Sequence, residues 1–247
     1  MMFALITTTR LVSTSELYRL KPALEINAGH LAAAYLMDEP IAIEVIDREA
    51  DLPSGCYPVV FVDDGGDAGT LAEHWFDPLR DIPASRVYVE NVSALNTGPY
   101  SASEAASHEI LEAIVDPMVA TWKPHPRRPG VDICYEVADP CQDTYSLRAN
   151  GTDWLVSNFA TPFFWMHTLP QPLEQIERDF GYGIDWCKRL REPGEIGPEG
   201  YAVLRESANH AHTWTEDESG VIGQNSRKLD RKQHRWSRTQ RRLRSRV

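Results

Sequence analysis

Apolar residues fall along the chain in short runs first. Residues 3–9 have the composition of a strand, 41–46 alternate enough for another, and 57–62 (Tyr-Pro-Val-Val-Phe-Val) read as a buried strand. Between the first two, Leu17, Leu20, Leu24, Leu31 and Tyr35 recur at helical spacing through 16–37, with Gly29 weakening the middle. Residues 86–92 predict a further strand. A second helix is predicted over 101–115. There Ser101 stands three residues before Glu104 as a capping box, Ile110, Leu111, Ile114 and Val115 supply an apolar side, and Pro117 ends the run. Strand, helix, three strands and an interior helix make an α/β unit with a sheet behind the second helix.

Later the pattern thins. Short strands are expected at 133–137 and 154–159, an aromatic stretch follows at 163–166, and beyond Leu169 prolines and glycines become frequent. This predicts a domain over 1–170, an irregular extension over 171–226 and an arm over 227–247. The acidic stretch at 63–67 lacks the spacing and closing glutamate of a calcium-binding loop and reads as a turn.

The second helix carries the chemistry. Ser107-His108-Glu109-Ile110-Leu111-Glu112 continues to Val115-Asp116-Pro117. At about 100° per residue His108 and Glu112 share one face, with Glu109 beside them where a general base would stand. This is the HExxH arrangement of zinc peptidases with Glu112 replacing the second histidine. A three-ligand site needs a donor from outside the helix. Tyr135-Glu136-Val137-Ala138-Asp139-Pro140 offers Glu136 and Asp139, which rank equally. On a continuous strand they point to opposite faces, so only one reaches inward unless the chain turns at Asp139-Pro140. Asp116 is the rival, rotated roughly 80° around the helix from His108. Against this, Asp116 and Asp139 both precede proline and can serve simply as acids that cap turns.

Composition narrows the setting. The chain has 247 residues, 42% hydrophobic and 9% aromatic, enough for a sizeable core. Its four cysteines show no CxxC spacing, which argues against a zinc ribbon or a disulfide scaffold. Neither a secretory leader nor an apolar run of about 18 residues is expected, so synthesis in a reducing cytoplasm fits and a membrane does not. The net charge of −11 is unevenly spread. Residues 227–247 hold ten Lys or Arg and one acid, leaving fifteen basic and thirty-five acidic residues in 1–226, so a body of −20 carries an arm of +9. Arg231, Lys232, Arg235, Arg241, Arg242 and Arg244, with Trp236 as an anchor, suit a strap for protein partners in an assembly or a contact with nucleic acid.

Three motifs taken in order, SHExxE…DP at 107–117, YEVxDP at 135–140 and Val156-Ser157-Asn158-Phe159 with Pro162-Phe163-Phe164, resemble those of an uncharacterised protein family of tailed phages, prophages and bacteria. The resemblance covers about residues 86–165. It implies a zincin-like metallopeptidase fold, an α/β (α+β) mixed sheet with a motif-bearing helix. It also implies a divalent ion, zinc by preference, on His108, Glu112 and an acid of the second motif. Glu109 would then take a proton from water attacking a peptide carbonyl. His125, His167, His210 and His212 are candidates for stabilising the oxyanion. Glu112 makes the site harder than a two-histidine site and admits calcium, manganese or magnesium. The alternative is a structural virion component, a head, connector or tail protein in which the ion only rigidifies the fold and the arm straps neighbouring subunits. The expected setting is therefore the cytoplasm of a bacterial host, or a virion under the second alternative.

Overall fold

The computed structural model describes residues 1–63, 70–92, 94–96, 100–210 and 212–220. The chain runs through β1 (Met2–Thr7), α1 (Thr14–Ala34), β2 (Ala42–Val45), β3 (Cys56–Val62), β4 (Ala72–Asp77), β5 (Ile82–Tyr88) and α2 (Ala102–Val115). It continues through β6 (Trp122–Pro124), β7 (Val131–Cys134), β8 (Thr144–Ala149), β9 (Thr152–Ser157), α3 (Leu173–Phe180), β10 (Tyr201–Glu206) and β11 (Thr213–Asp217). This is an α+β architecture with a mixed main sheet ordered β2-β1-β3-β5-β4. Its strands are parallel except β4, which returns antiparallel along β5 with His74 opposite Ser85.

Helices α1 and α2 touch each other and the main sheet, so they cover the same face of it. The hairpin β8-β9 packs on the other side of α2. Asn150 and Gly151, with φ of 49° and 76°, turn that hairpin in two residues, a conformation that asparagine and glycine tolerate best. Because α2 lies between sheet and hairpin, it is buried nearly all round. Ile110, Leu111 and Ile114 are each at most 3% exposed, and burial of such a side chain contributes about 1.5–3 kcal/mol. Small residues let the neighbours close in. Ser107 Oγ accepts from the Ser157 amide at 2.7 Å, and Ser103 Oγ donates to the Leu155 carbonyl at 2.6 Å, so the N-terminal half of α2 is sutured to β9. Its N-terminus is capped as expected by Ser101, which accepts from the Glu104 amide. The Glu104 carboxylate reaches the Tyr100 amide instead of closing the box on Ser101.

The segment expected to be irregular carries regular elements among its described residues. After α3 it supplies β10 and β11, which form a four-stranded antiparallel sheet ordered β11-β10-β7-β6. Ile176, Ile184, Leu190 and Leu204 join the same hydrophobic core as Phe3 and Leu111. Their sequence signal was weak because the strands are short and the stretch between α3 and β10 is held by turns. That stretch is organised around Asp185, which is fully buried and accepts from the Arg189 and Leu190 amides and from Asn158 Nδ2. The basic arm, with Arg231, Lys232, Arg235, Trp236, Arg241, Arg242 and Arg244, lies outside the described residues, as does most of the acidic turn at 63–67. No helix among the described residues is long and apolar enough to cross a membrane.

Candidate metal centre

Helix α2 delivers His108, Glu109 and Glu112 within five residues. The predicted pair is realised: His108 Nε2 lies 3.2 Å from Glu112 Oε1. From the turn beyond β7, Asp139 Oδ1 reaches the same nitrogen at 3.2 Å. Donor atoms about 2.0–2.2 Å from a tetrahedral ion stand about 3.3–3.6 Å apart, so the two contacts to His108 need to open by only a few tenths of an ångström, and the three donor atoms lie within 4.8 Å of one another. Asp139 Oδ2 is buried without a hydrogen-bond partner, the state expected of a carboxylate whose natural partner is a cation.

Of the three acids considered as third ligand, the structure brings one to His108. The strand ends at Cys134, earlier than the sequence suggested, and the chain turns through 138–142 with the Cys141 and Gln142 amides both bonded to Ala138 O. That turn aims both Glu136 and Asp139 inward, so the two-face rule for a continuous strand does not apply. Glu136 nevertheless goes elsewhere, to a different histidine. Asp116 is engaged by other partners. Its carboxylate accepts from the Ala120 and Thr121 amides and from Thr121 Oγ1 at 2.8–3.2 Å, capping the turn after α2. Eight residues along the helix it faces the turn that follows, as an acid before proline commonly does.

The residue that sequence reasoning missed is His74. It projects from β4 into the core with its side chain fully buried. Nδ1 lies 2.9 Å from Glu109 Oε2 and 3.2 Å from Glu112 Oε2, while Nε2 lies 3.6 Å from Glu136 Oε2. His74, Glu109 and Glu112 therefore form a second buried group able to hold a metal ion, beside that of His108, Glu112 and Asp139. The signal was hidden because a histidine occupies the inward position of the strand, where an apolar residue would have revealed it.

Burial opposes protonation of both imidazoles, but the surrounding carboxylates outweigh it. Glu136, Glu109 and Glu112 raise His74 well above the usual histidine range, and Glu112 and Asp139 do the same for His108. Burial also raises Glu104, one turn before His108. A cleft of about 170 Å³ opens onto the outer part of the cluster, lined by His108, Glu109, Glu112, Asp139, Tyr100 and Tyr201 among others. His74 is not among its walls and lies behind them. The four histidines considered for an oxyanion role are not in the cleft either. His125 Nδ1 accepts from the Arg127 amide, His167 meets the Pro126 carbonyl, His212 pairs with Glu206, and His210 is exposed.

No protein-family model, curated protein or solved structure matches the chain significantly.

Proposed function

We propose that this protein is a divalent-metal-dependent hydrolase, with peptides as substrate class and zinc as the preferred ion, as the resemblance to the phage and prophage family implies. The supporting observation is the approach of Glu112 and Asp139 to His108 Nε2, each at 3.2 Å, beside an open cleft, with an orphaned carboxylate oxygen on Asp139. Three protein ligands and an accessible face are the arrangement of a catalytic ion rather than a closed structural one. When bound there, the ion supplies Lewis acidity toward a carbonyl and toward water. Glu109 borders the cleft, and its carboxylate accepts the proton of the attacking water. His74 fixes its orientation through the 2.9 Å contact. Tyr100 and Tyr201, on the cleft wall, would flank a bound peptide.

The decisive measurement is hydrolysis of casein by purified protein, with and without chelator and zinc. Activity is expected to disappear on chelation and return with zinc. Glu109→Gln is expected to lower kcat by about 10²–10⁴, the usual contribution of a general base. Equal activity in the variant would remove Glu109 from the mechanism. The sequence also favours a second reading, a structural virion component, through its split between an acidic body and a cationic arm. Retention of the ion with no hydrolysis of any peptide in the same experiment would support it.

A further inference from the structure

We infer that the cluster holds two divalent cations at once, bridged by the carboxylate of Glu112. The outer ion is that of the proposed hydrolase site, on which this inference rests. The inner ion takes His74 Nδ1, Glu109 Oε2 and Glu112 Oε2. Three observations carry the assignment.

Glu112 presents a different oxygen to each histidine, Oε1 to His108 and Oε2 to His74, both at 3.2 Å. Its two oxygens thus point to two different sets of donors, the geometry of a carboxylate that spans two cations. The same helical turn places Glu109 on the His74 side, so each ion receives one imidazole, one private carboxylate and one oxygen of the shared one.

Charge points the same way. Four carboxylates, Glu109, Glu112, Glu136 and Asp139, have an oxygen within 3.6 Å of an imidazole nitrogen. Two imidazolium ions offset half of their charge, whereas two divalent cations with neutral imidazoles offset all of it. Burying an uncompensated carboxylate is costly, so a cluster with four invites full compensation.

The third observation is the orientation of His74. Its Nε2 is buried and makes no hydrogen bond, but it faces Glu136 Oε2 at 3.6 Å. A metal-bound imidazole commonly turns its other nitrogen toward a carboxylate, which fixes the tautomer and raises the basicity of the ligating atom. Glu136 stands in that position, and a proton on Nε2 leaves the Nδ1 lone pair to the ion. Glu136 is thus a positioning residue for His74 and not a ligand. Coordination through Oε2 leaves the other oxygen of Glu109 for proton transfer in the cleft.

The test is metal stoichiometry of the full chain, stripped with chelator, loaded with Zn²⁺, desalted and measured by elemental analysis. Two ions per chain are expected, falling to one in His74→Ala and to one in His108→Ala. A single ion in wild type, retained in His74→Ala and lost in His108→Ala, overturns the inner site while leaving the hydrolase site intact. No ion in wild type overturns both. Because His74→Ala removes a buried side chain, the unmodified protein loaded with two equivalents of Mn²⁺ gives a second readout that does not depend on how a variant folds. An exchange-coupled electron paramagnetic resonance spectrum is expected. Two isolated six-line centres overturn the bridge.

Discussion

A carboxylate has two oxygens, and at Glu112 each meets a different imidazole. Its neighbour Asp116, one turn later, shows how differently an identical charge is used when the surroundings offer amides instead of histidines. It is 1% exposed and accepts three hydrogen bonds from the turn at 120–121. Asp116→Ala is therefore expected to lower stability by about 2–3 kcal/mol by stranding those donors, while leaving the ion content unchanged. Chemical denaturation together with elemental analysis checks both halves, and loss of the ion would show that Asp116 is a ligand after all. At this scale the sequence was informative wherever helical geometry decides. The spacing of His108, Glu109 and Glu112 places them together whatever else the chain does. It could not rank Glu136 against Asp139, because that choice depends on where a strand stops. Nor could it find His74, since nothing local marks an inward histidine on β4 as different from a solvated one.

Among the elements, α1, α2 and the first strands follow from the hydrophobic pattern because each is long or strongly apolar. Strands β4 and β10–β11 were missed: β4 alternates poorly, with Glu73, His74 and Asp77 among its six residues, and the other two are short strands of a hairpin that joins a distant partner, β7. Yet β10 matters to the centre. The Tyr201 amide bonds to Asp139 O at 3.0 Å and the Gly197 amide to Pro140 O at 2.8 Å, so the start of β10 backs the turn that presents Asp139. Gly200 makes this approach feasible, because a Cβ there would overlap the Pro140 carbonyl. Gly200→Ala is expected to push the turn away and reduce zinc affinity at the outer position by about tenfold or more, as loss of ligand support commonly does. Zinc titration against a competing chelator measures it, and an unchanged affinity would show that Asp139 is held from elsewhere. An extension expected to be irregular is thus part of the scaffold.

For the molecule as a whole, one core joins both sheets, and its response to acid has an identifiable contributor. His125 is 2% exposed, and its Nδ1 accepts from the Arg127 amide. Burial, helped by Arg128 and Arg127, lowers it from the ordinary 6.5 to about 4. The unfolded chain takes up a proton on this residue near pH 6.5, whereas the folded protein does so only near 4. Its contribution to stability is therefore intact above pH 6.5 and declines as the pH falls toward 4. His125→Asn keeps an acceptor for the Arg127 amide but cannot titrate. Urea denaturation across this window is expected to show stability falling more steeply in wild type than in the variant, and parallel curves would assign the acid sensitivity to other groups.

The contact between Gly200 and the Asp139 turn also bears on the order of events during synthesis. A nascent chain has produced its helix and its histidines long before the residues near 200 leave the ribosome. Until then the aspartate lacks its backstop and the outer pocket has no fixed third wall. Under the proposed function, capture of a cation at the outer position would therefore follow synthesis of the start of β10, whose amide backs the turn that carries Asp139.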